Sequence, residues 1–179
     1  AFEHGVKKFI AFSSACAFPA TAPLLSESIL HDGPPYPAHG SYAYAKRMVE
    51  IQASTIRNQT GLNFCTLIPG NIFGERDNFD LEYGHVVPSL IHRCFLARKA
   101  GVPFEVWGDG SAQREFLYAG DVVDICMRLL KLEILPERLI VAGEMSVPIS
   151  RIVEIITEKM RYSNIKWLTD KPNGQPFRR

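Results

Sequence analysis

Asn63-Phe64-Cys65-Thr66-Leu67-Ile68-Pro69 is apolar or β-branched at all five central positions, where a strand with one wet face would alternate. Such a run reads as a strand buried on both faces, the pattern of a parallel sheet covered by helices. Gly61, just before it, is the ordinary stop of a helix, and the helix it stops reaches back to Ser41, a residue type suited to an N-cap. Upstream again, Lys7-Lys8-Phe9-Ile10-Ala11-Phe12 follows Gly5 as a second short apolar run. Strand, helix and strand within residues 7–69 make a βαβ unit, so the two strands are expected to run parallel with a right-handed crossover.

The helix between them carries Ser41-Tyr42-Ala43-Tyr44-Ala45-Lys46. Four residues at helical pitch bring Tyr42 and Lys46 onto one face, with Cβ atoms about 5–6 Å apart. Tyr44 lies two positions from each and faces elsewhere. An ammonium beside a phenol favours the charge left on the oxygen when its proton is transferred, so the pair suits proton shuttling on one small molecule. The bland alternative, that Tyr-x-x-x-Lys is only an amphipathic surface, is weakened by what surrounds it.

Ser13 and Ser14 close the first strand, and Cys16 follows. In open α/β sheets ligands lie beyond the carboxyl ends of strands, which places Ser14 and Cys16 where chemistry is expected. Pro19 to Gly40 holds five prolines and two glycines and reads as a long loop, a kind of segment usually kept for function. After Gly70-Asn71, the stretch Ile72 to Gly84 turns polar. A helix is expected over His85 to Arg98, with Val87, Leu90, Ile91 and Cys94 at helical spacing and Pro88 in its first turn. Phe104 to Trp107 reads as a strand, Gly108-Asp109-Gly110 as a turn and Arg114 to Tyr118 as extended. Asp121 is expected to open a helix over Val122 to Leu130. Leu139 to Ala142 reads as a strand, Ile149 to Met160 as a helix with Ile152, Val153, Ile156 and Met160 inward, and Ile165 to Leu168 as a last strand.

Composition bounds the function. Twenty basic and nineteen acidic residues leave a net charge of +1 without basic runs, which argues against nucleic acid as a partner. No apolar stretch approaches the roughly 20 residues of a membrane helix, and no leader pattern is visible. Cys16, Cys65, Cys94 and Cys126 are scattered, without metal-ligand spacing, so no metal site is expected and the thiols read as reduced, in a cytoplasmic protein. Ala1 to Val6 reads as a helix end running into a strand, so the expectation is a chain that begins mid-fold. No G-x-x-G-x-x-G or G-x-G-x-x-G, the loop that cradles a dinucleotide pyrophosphate, occurs in the sequence.

In its ordered motifs the chain resembles the extended short-chain dehydrogenase/reductase family of nucleotide-sugar epimerases, dehydratases and reductases. The segments that carry the resemblance are Ser14 to Pro19, Tyr42 to Lys46, Pro69 to Gly74, Asp77 to Phe79, Gly84 to Pro88, Val106 to Gly108 and Arg114 to Phe116. The Asp77-Asn78-Phe79 and His85-Val86 pieces point to the branch that epimerises and reduces a GDP-linked 4-keto-6-deoxy sugar with NADP(H). The resemblance implies that Ser14 orients the keto oxygen, Tyr42 donates its proton and Lys46 holds the nicotinamide ribose. It implies Cys16 and His85 as the acid/base pair for epimerisation, which is chemically sensible because a thiol and an imidazole both work near neutrality. Cofactor contacts implied are Ser13, Ser14, Tyr42, Lys46, Pro69, Gly70, Asn71, Ile72 and His85. Substrate contacts implied are Asn71, Asn78, Arg93, Trp107, Arg114 and Asn173, arginine suiting a diphosphate through forked hydrogen bonds. Two positions depart from the family pattern: Gly70 replaces a hydroxyl residue and Asn173 an aspartate. Taken alone, Cys16 could be core, His85 a cap or surface group, and Trp107 plain core.

The implied fold is α/β: the latter half of a Rossmann doubly wound parallel sheet with a smaller substrate-binding α/β part. Residues 1–71 would form the C-terminal part of the Rossmann domain, 72–116 a substrate-binding insertion, 117–135 a returning helix and 136–179 an incomplete C-terminal substrate-binding part. A homodimer is implied for the full-length enzyme. Two other readings stay open: another nucleotide-sugar epimerase or dehydratase of the same superfamily, and a non-catalytic truncated module, favoured by the absent glycine-rich loop.

Overall fold

A computed structural model describes residues 2–171 and 173. In chain order the elements are β1 (Lys8–Phe12), α1 (Gly40–Thr60), β2 (Asn63–Pro69), β3 (Asn71–Phe73), α2 (Val86–Ala100), β4 (Phe104–Trp107), β5 (Gln113–Tyr118), α3 (Ala119–Leu129), β6 (Arg138–Val141), β7 (Ser146–Pro148), α4 (Ile149–Met160) and β8 (Ile165–Leu168). Between β1 and α1 the proline-rich loop holds short 3₁₀ turns, at Ala15–Ala17, Glu27–Ile29 and Pro37–His39, and an isolated antiparallel bridge between Pro19 and Pro35. The chain divides into two compact units, passing between them at residues 72–73, 116–117 and 143–144.

The first unit is built on the sheet β1–β2–β6. β1 and β2 run parallel, with Lys8 opposite Asn63 and Phe12 opposite Leu67, as the βαβ reading requires. β6 continues the parallel sheet on the other side of β2, Thr66 opposite Arg138 and Pro69 opposite Val141. β2 is therefore central and buried along six of its seven residues. Cys65 and Leu67 pack with Leu117, Val122, Leu129, Leu135 and Val141, while Ile68 packs with Ala17, Phe18 and Leu30. Alternate residues entering different clusters is what a covered parallel strand looks like. Gly61 ends α1 at φ +70°, a left-handed cap whose N–H returns to the Arg57 carbonyl. The edge strand β1 leaves Phe9 and Phe12 exposed, an apolar edge.

The second unit packs α2 and α4 over β4 and β8. β4 and β8 are parallel, Phe104 opposite Ile165. Leu90, Cys94, Ala97, Phe104, Val106, Val153 and Ile156 form its core, and Ile152 and Met160 pack against them, so the inner face read for α4 is the observed one. β5 and β7 pair antiparallel, Gln113 opposite Pro148, in a sheet ordered β3–β5–β7.

Several boundaries differ from the sequence reading. Ser41 does not cap α1; the turn Pro37–His39 already winds the chain, Gly40 is helical at φ −52° and ψ −53°, and Ser41 falls inside the first turn. α3 starts at Ala119, directly after β5, and Asp121 lies within its first turn, where a carboxylate favours the helix N-terminus, rather than before it. Residues 136–143 go with the first unit, because β6 hydrogen-bonds to β2; the division falls at 143–144 rather than at 135–136. β3 and β7, of three residues each, are too short to show alternation in sequence.

Candidate active site

The end of β1 and the start of α1 are stitched together in both directions. Ser13 extends the β1–β2 ladder with its N–H on the Leu67 carbonyl at 2.8 Å. Its hydroxyl donates to the Lys46 carbonyl at 3.0 Å, and Lys46 Nζ donates back to the Phe12 carbonyl at 3.0 Å. The first helical turns are thus fixed to the carboxyl end of the strand. Ser13 is buried, with its hydroxyl turned to the Lys46 backbone.

Tyr42 stands one turn before Lys46, and Lys46 Nζ lies 5.7 Å from its ring centroid, within cation–π range. Half of the Tyr42 side chain is exposed, leaving the phenol open to a ligand. Tyr44 takes a different partner, its ring 5.6 Å from the Arg47 guanidinium carbon. The two tyrosines separate as the helical register requires.

Ser14 caps the turn Ala15–Ala17 by accepting the Cys16 N–H at 3.2 Å. A serine hydroxyl has one hydrogen to give; with the Cys16 N–H on its oxygen, that hydrogen suits a carbonyl oxygen. Cys16 is half-buried on the same turn. Burial pushes the Cys65 thiol up to about 11 and raises those of Cys94 and Cys126, which suits inert core thiols.

At the end of β2, Pro69 is buried opposite Val141, and the Gly70 N–H bonds the Val141 carbonyl at 2.9 Å. A Cβ at Gly70 would meet only that carbonyl oxygen at 3.8 Å, so the glycine is not required by space. Ile72 packs onto the core of the first unit, and Asn71 is exposed at the start of β3.

The second unit holds the remaining predicted residues. His85 is the N-cap residue of α2 but makes no side-chain cap bond, and it is exposed; its imidazole is not spent on capping. Arg93 donates to the Leu81 carbonyl at 3.0 Å and lies 5.3 Å from the Trp107 ring, so these two are brought together. Trp107 is 54% exposed, which removes the reading of plain core. Asn173 accepts the Asp109 N–H at 2.9 Å and so sits on the turn that follows Trp107. Ser111 donates to the Asp109 carboxylate through its hydroxyl and its N–H, and both lower the Asp109 pKa. Arg114 is partly buried, its guanidinium donating to the Gln113 carbonyl at 2.6 Å; desolvation lowers its pKa.

Asn78 belongs to a loop closed on itself. Its side-chain oxygen accepts the Asp80 N–H at 3.0 Å, and Asp80 accepts the N–H groups of Tyr83 and Glu82, which hold its carboxyl below the usual range. Gly84 closes the loop, and a Cβ there would fall 2.3 Å from the Asp80 carbonyl oxygen.

Three contributors had no clear signal in sequence. Arg47 and Glu50 lie buried on α1, positions that read as a solvated helix face. Glu50 bonds His31 and Arg138, each at 2.6 Å, tying the proline-rich loop and β6 to the helix. His92 Nδ1 donates to the Phe79 carbonyl at 2.6 Å, since a carbonyl only accepts. Among the described residues no cluster of three or more His, Cys, Asp or Glu forms a metal site, and no helix is long and apolar enough to cross a membrane.

The family model of the NAD dependent epimerase/dehydratase family matches residues 1–143, and the chain belongs to that family. Its Rossmann-like α/β fold agrees with that membership. Among individual proteins, the GDP-L-fucose synthase of Dictyostelium discoideum is 35% identical over 177 residues, covering 97% of this chain and 55% of the relative. The putative GDP-L-fucose synthase 2 of Arabidopsis thaliana is 36% identical over 180 residues, covering 98% of this chain and 55% of the relative. A crystal structure of a GDP-L-fucose synthetase from Naegleria fowleri bound to NADP superposes with a TM-score of 0.89 at 33% identity, over 97% of this chain and 57% of that one. The chain thus spans a little over half the length of the curated relatives it matches.

Proposed function

We propose that the complete protein is an NADPH-dependent 3,5-epimerase/4-reductase that converts GDP-4-keto-6-deoxy-D-mannose to GDP-L-fucose. The observation that carries this reading is the stitched end of β1, where Lys46 lies beside an open Tyr42 phenol and is bonded to the strand from which Ser14 and Cys16 follow. The residues fit the reactive end of a nicotinamide cofactor: an ammonium and a phenol on one helix face, and Pro69, Gly70, Asn71 and Ile72 at the end of the neighbouring strand. The pyrophosphate-cradling loop is not among these 179 residues.

When bound, NADPH supplies the hydride that reduces C4. Ser14 donates its hydroxyl hydrogen to the keto oxygen and polarises it. Tyr42 passes its proton to the same oxygen as negative charge develops there, and Lys46 stabilises the phenolate left behind. A ketone also acidifies the hydrogens on its neighbouring carbons. Cys16 and His85 serve as the acid and base that remove and return protons at C3 and C5. Arg93 and Arg114 bind the diphosphate of the GDP-sugar, with Asn71, Asn78, Trp107 and Asn173 as further substrate contacts. The protein works in the cytoplasm as a homodimer; the exposed stripe Tyr44, Met48 and Ile51 on α1 supports self-association.

The test is the product. Incubating the complete protein with GDP-4-keto-6-deoxymannose and NADPH should yield GDP-fucose. Oxidation of NADPH with retained configuration at C3 and C5 would remove the epimerase half of the reading, and no turnover would remove both. A simple C4 epimerase needs neither Cys16 nor His85, so loss of activity on replacing either separates the two enzymes.

A further inference from the structure

We propose that Arg47 is a positioning residue for the epimerisation step, holding the Cys16 turn at a set distance from the helix that carries Tyr42 and Lys46. The inference rests on the reading of Cys16 as an acid–base group. Arg47 is 8% exposed. Its Nε donates to the Ala17 carbonyl at 2.6 Å, and its Nη2 donates to the Gly33 carbonyl at 2.6 Å. One planar group thereby clamps three segments: the turn Ala15–Ala17, the proline-rich loop at Gly33, and α1 itself. Ala17 is the residue next to Cys16, and Arg47 is the residue next to Lys46.

Packing alone does not explain this choice. The buried stripe of α1 is otherwise small where it flanks the charges, at Ala43 and Ala53. Taking a guanidinium out of water for two neutral carbonyls is costly, and an apolar residue would fill such a position at less expense. Among the described residues no carboxylate pairs with it, unlike Arg138, which is paired with Glu50. The Tyr44 ring adds a cation–π contact, its centroid 5.6 Å from the guanidinium carbon. What arginine provides that an apolar side chain lacks is direction, because its donors lie in one rigid plane and hold both carbonyls at once. The bonds within the Cys16 turn are short-range: the Cys16 N–H to Ser14 Oγ, the Ala17 N–H to the Ser14 carbonyl and the Phe18 N–H to the Ala15 carbonyl. None of those reaches α1.

Lys46 has an independent bond to β1, so loosening the Arg47 clamp should move Cys16 more than it moves Tyr42. That difference is measurable as a product partition. In the complete protein with keto sugar and NADPH, Arg47→Lys keeps the charge but cannot fork across both carbonyls. Solvent deuterium entry at C3 and C5 should fall about 10-fold or more, since small misplacements of reacting groups are this costly. NADPH oxidation should fall less, and the reduced product should shift towards unepimerised configuration. Tyr44→Leu, at a half-exposed position, should shift the partition the same way by a smaller factor.

A purely structural arginine would lower the amount of folded protein and scale all products together; that result overturns the proposal. Should Arg47→Lys fail to fold, Tyr44→Leu alone decides, an unchanged partition overturning the proposal and a shifted one supporting it. Cys16→Ser separates the underlying reading: unaltered exchange there rejects Cys16 as the acid–base group, whereas slowed exchange with an unaltered partition in both other variants rejects Arg47 alone.

Discussion

Two regions, the β1–α1 junction of the first unit and the Asn78–Gly84 loop of the second, are held by different kinds of bond. In the first, Lys46 to Phe12 and Ser13 to Lys46 join a helix to a strand end, and Arg47 to Ala17 joins it to the turn beyond, each across some thirty intervening residues. In the second, Asn78 to Asp80, and Asp80 to Tyr83 and Glu82, stay inside one loop. Bonds between distant elements make a group as rigid as the sheet beneath it. Bonds inside a loop fix the loop's shape and allow it to change without disturbing the core. The first arrangement suits groups that must meet a reacting atom, and the second suits groups that recognise the rest of a substrate.

The largest expected effect tests the first unit. Tyr42→Phe keeps the exposed ring and removes the hydroxyl, so the fold should survive while GDP-fucose formation falls about 10²- to 10⁴-fold, the usual contribution of a general acid. Steady-state turnover with a parallel melting curve checks both halves. In the second unit, Gly84→Ala would force the Asn78–Gly84 loop open, because the new methyl falls 2.3 Å from the Asp80 carbonyl oxygen and 2.6 Å from that of Asn78. The cost should be about 1–3 kcal/mol. Under the proposed function it should raise the KM for the GDP-sugar through the Asn78 loop and, because His85 follows Gly84 directly, slow proton exchange at C3 and C5 as well.

A smaller effect concerns the core under the first site. The Cys65 thiol is raised from an ordinary 9.0 to about 11 by burial. Between those values the unfolded chain gives up this proton while the native protein keeps it, so stability falls as pH rises from 9 towards 11. Below pH 9 the group is neutral in both states and contributes no slope. Urea unfolding of wild type and Cys65→Ala across that range isolates the contribution; equal slopes for the two would contradict it. The smallest effect is at Gly70→Ser, where the space is open and stability should change by no more than about 0.5 kcal/mol.

Much of the first unit was legible because its signals are local. Phe64 to Ile68 reads as a buried strand, Gly61 stops a helix, and Tyr42 and Lys46 share a face by spacing alone. Arg47 and Glu50 were not legible, since a charged residue on a helix reads as solvated until its partners Ala17, Gly33, His31 and Arg138 are brought to it by the fold. The helix starts were misplaced for a related reason: the turn Pro37–His39 and the strand β5 each deliver the chain already shaped for a helix, which removes the need for a Ser41 cap or an opening Asp121. β3 and β7 were too short for any period to appear. In the second unit, the Arg93–Trp107 contact joins residues that the resemblance singled out without relating them to each other.

The division of labour in the proposed mechanism is tested most directly by solvent deuterium exchange into GDP-4-keto-6-deoxymannose, measured on Tyr42→Phe and Cys16→Ser of the complete protein. The account predicts that Tyr42→Phe still exchanges protons at C3 and C5 while forming GDP-fucose about 10²- to 10⁴-fold more slowly, and that Cys16→Ser loses exchange while still oxidising NADPH. Unchanged exchange in Cys16→Ser, or exchange lost with the Tyr42 hydroxyl, would contradict it.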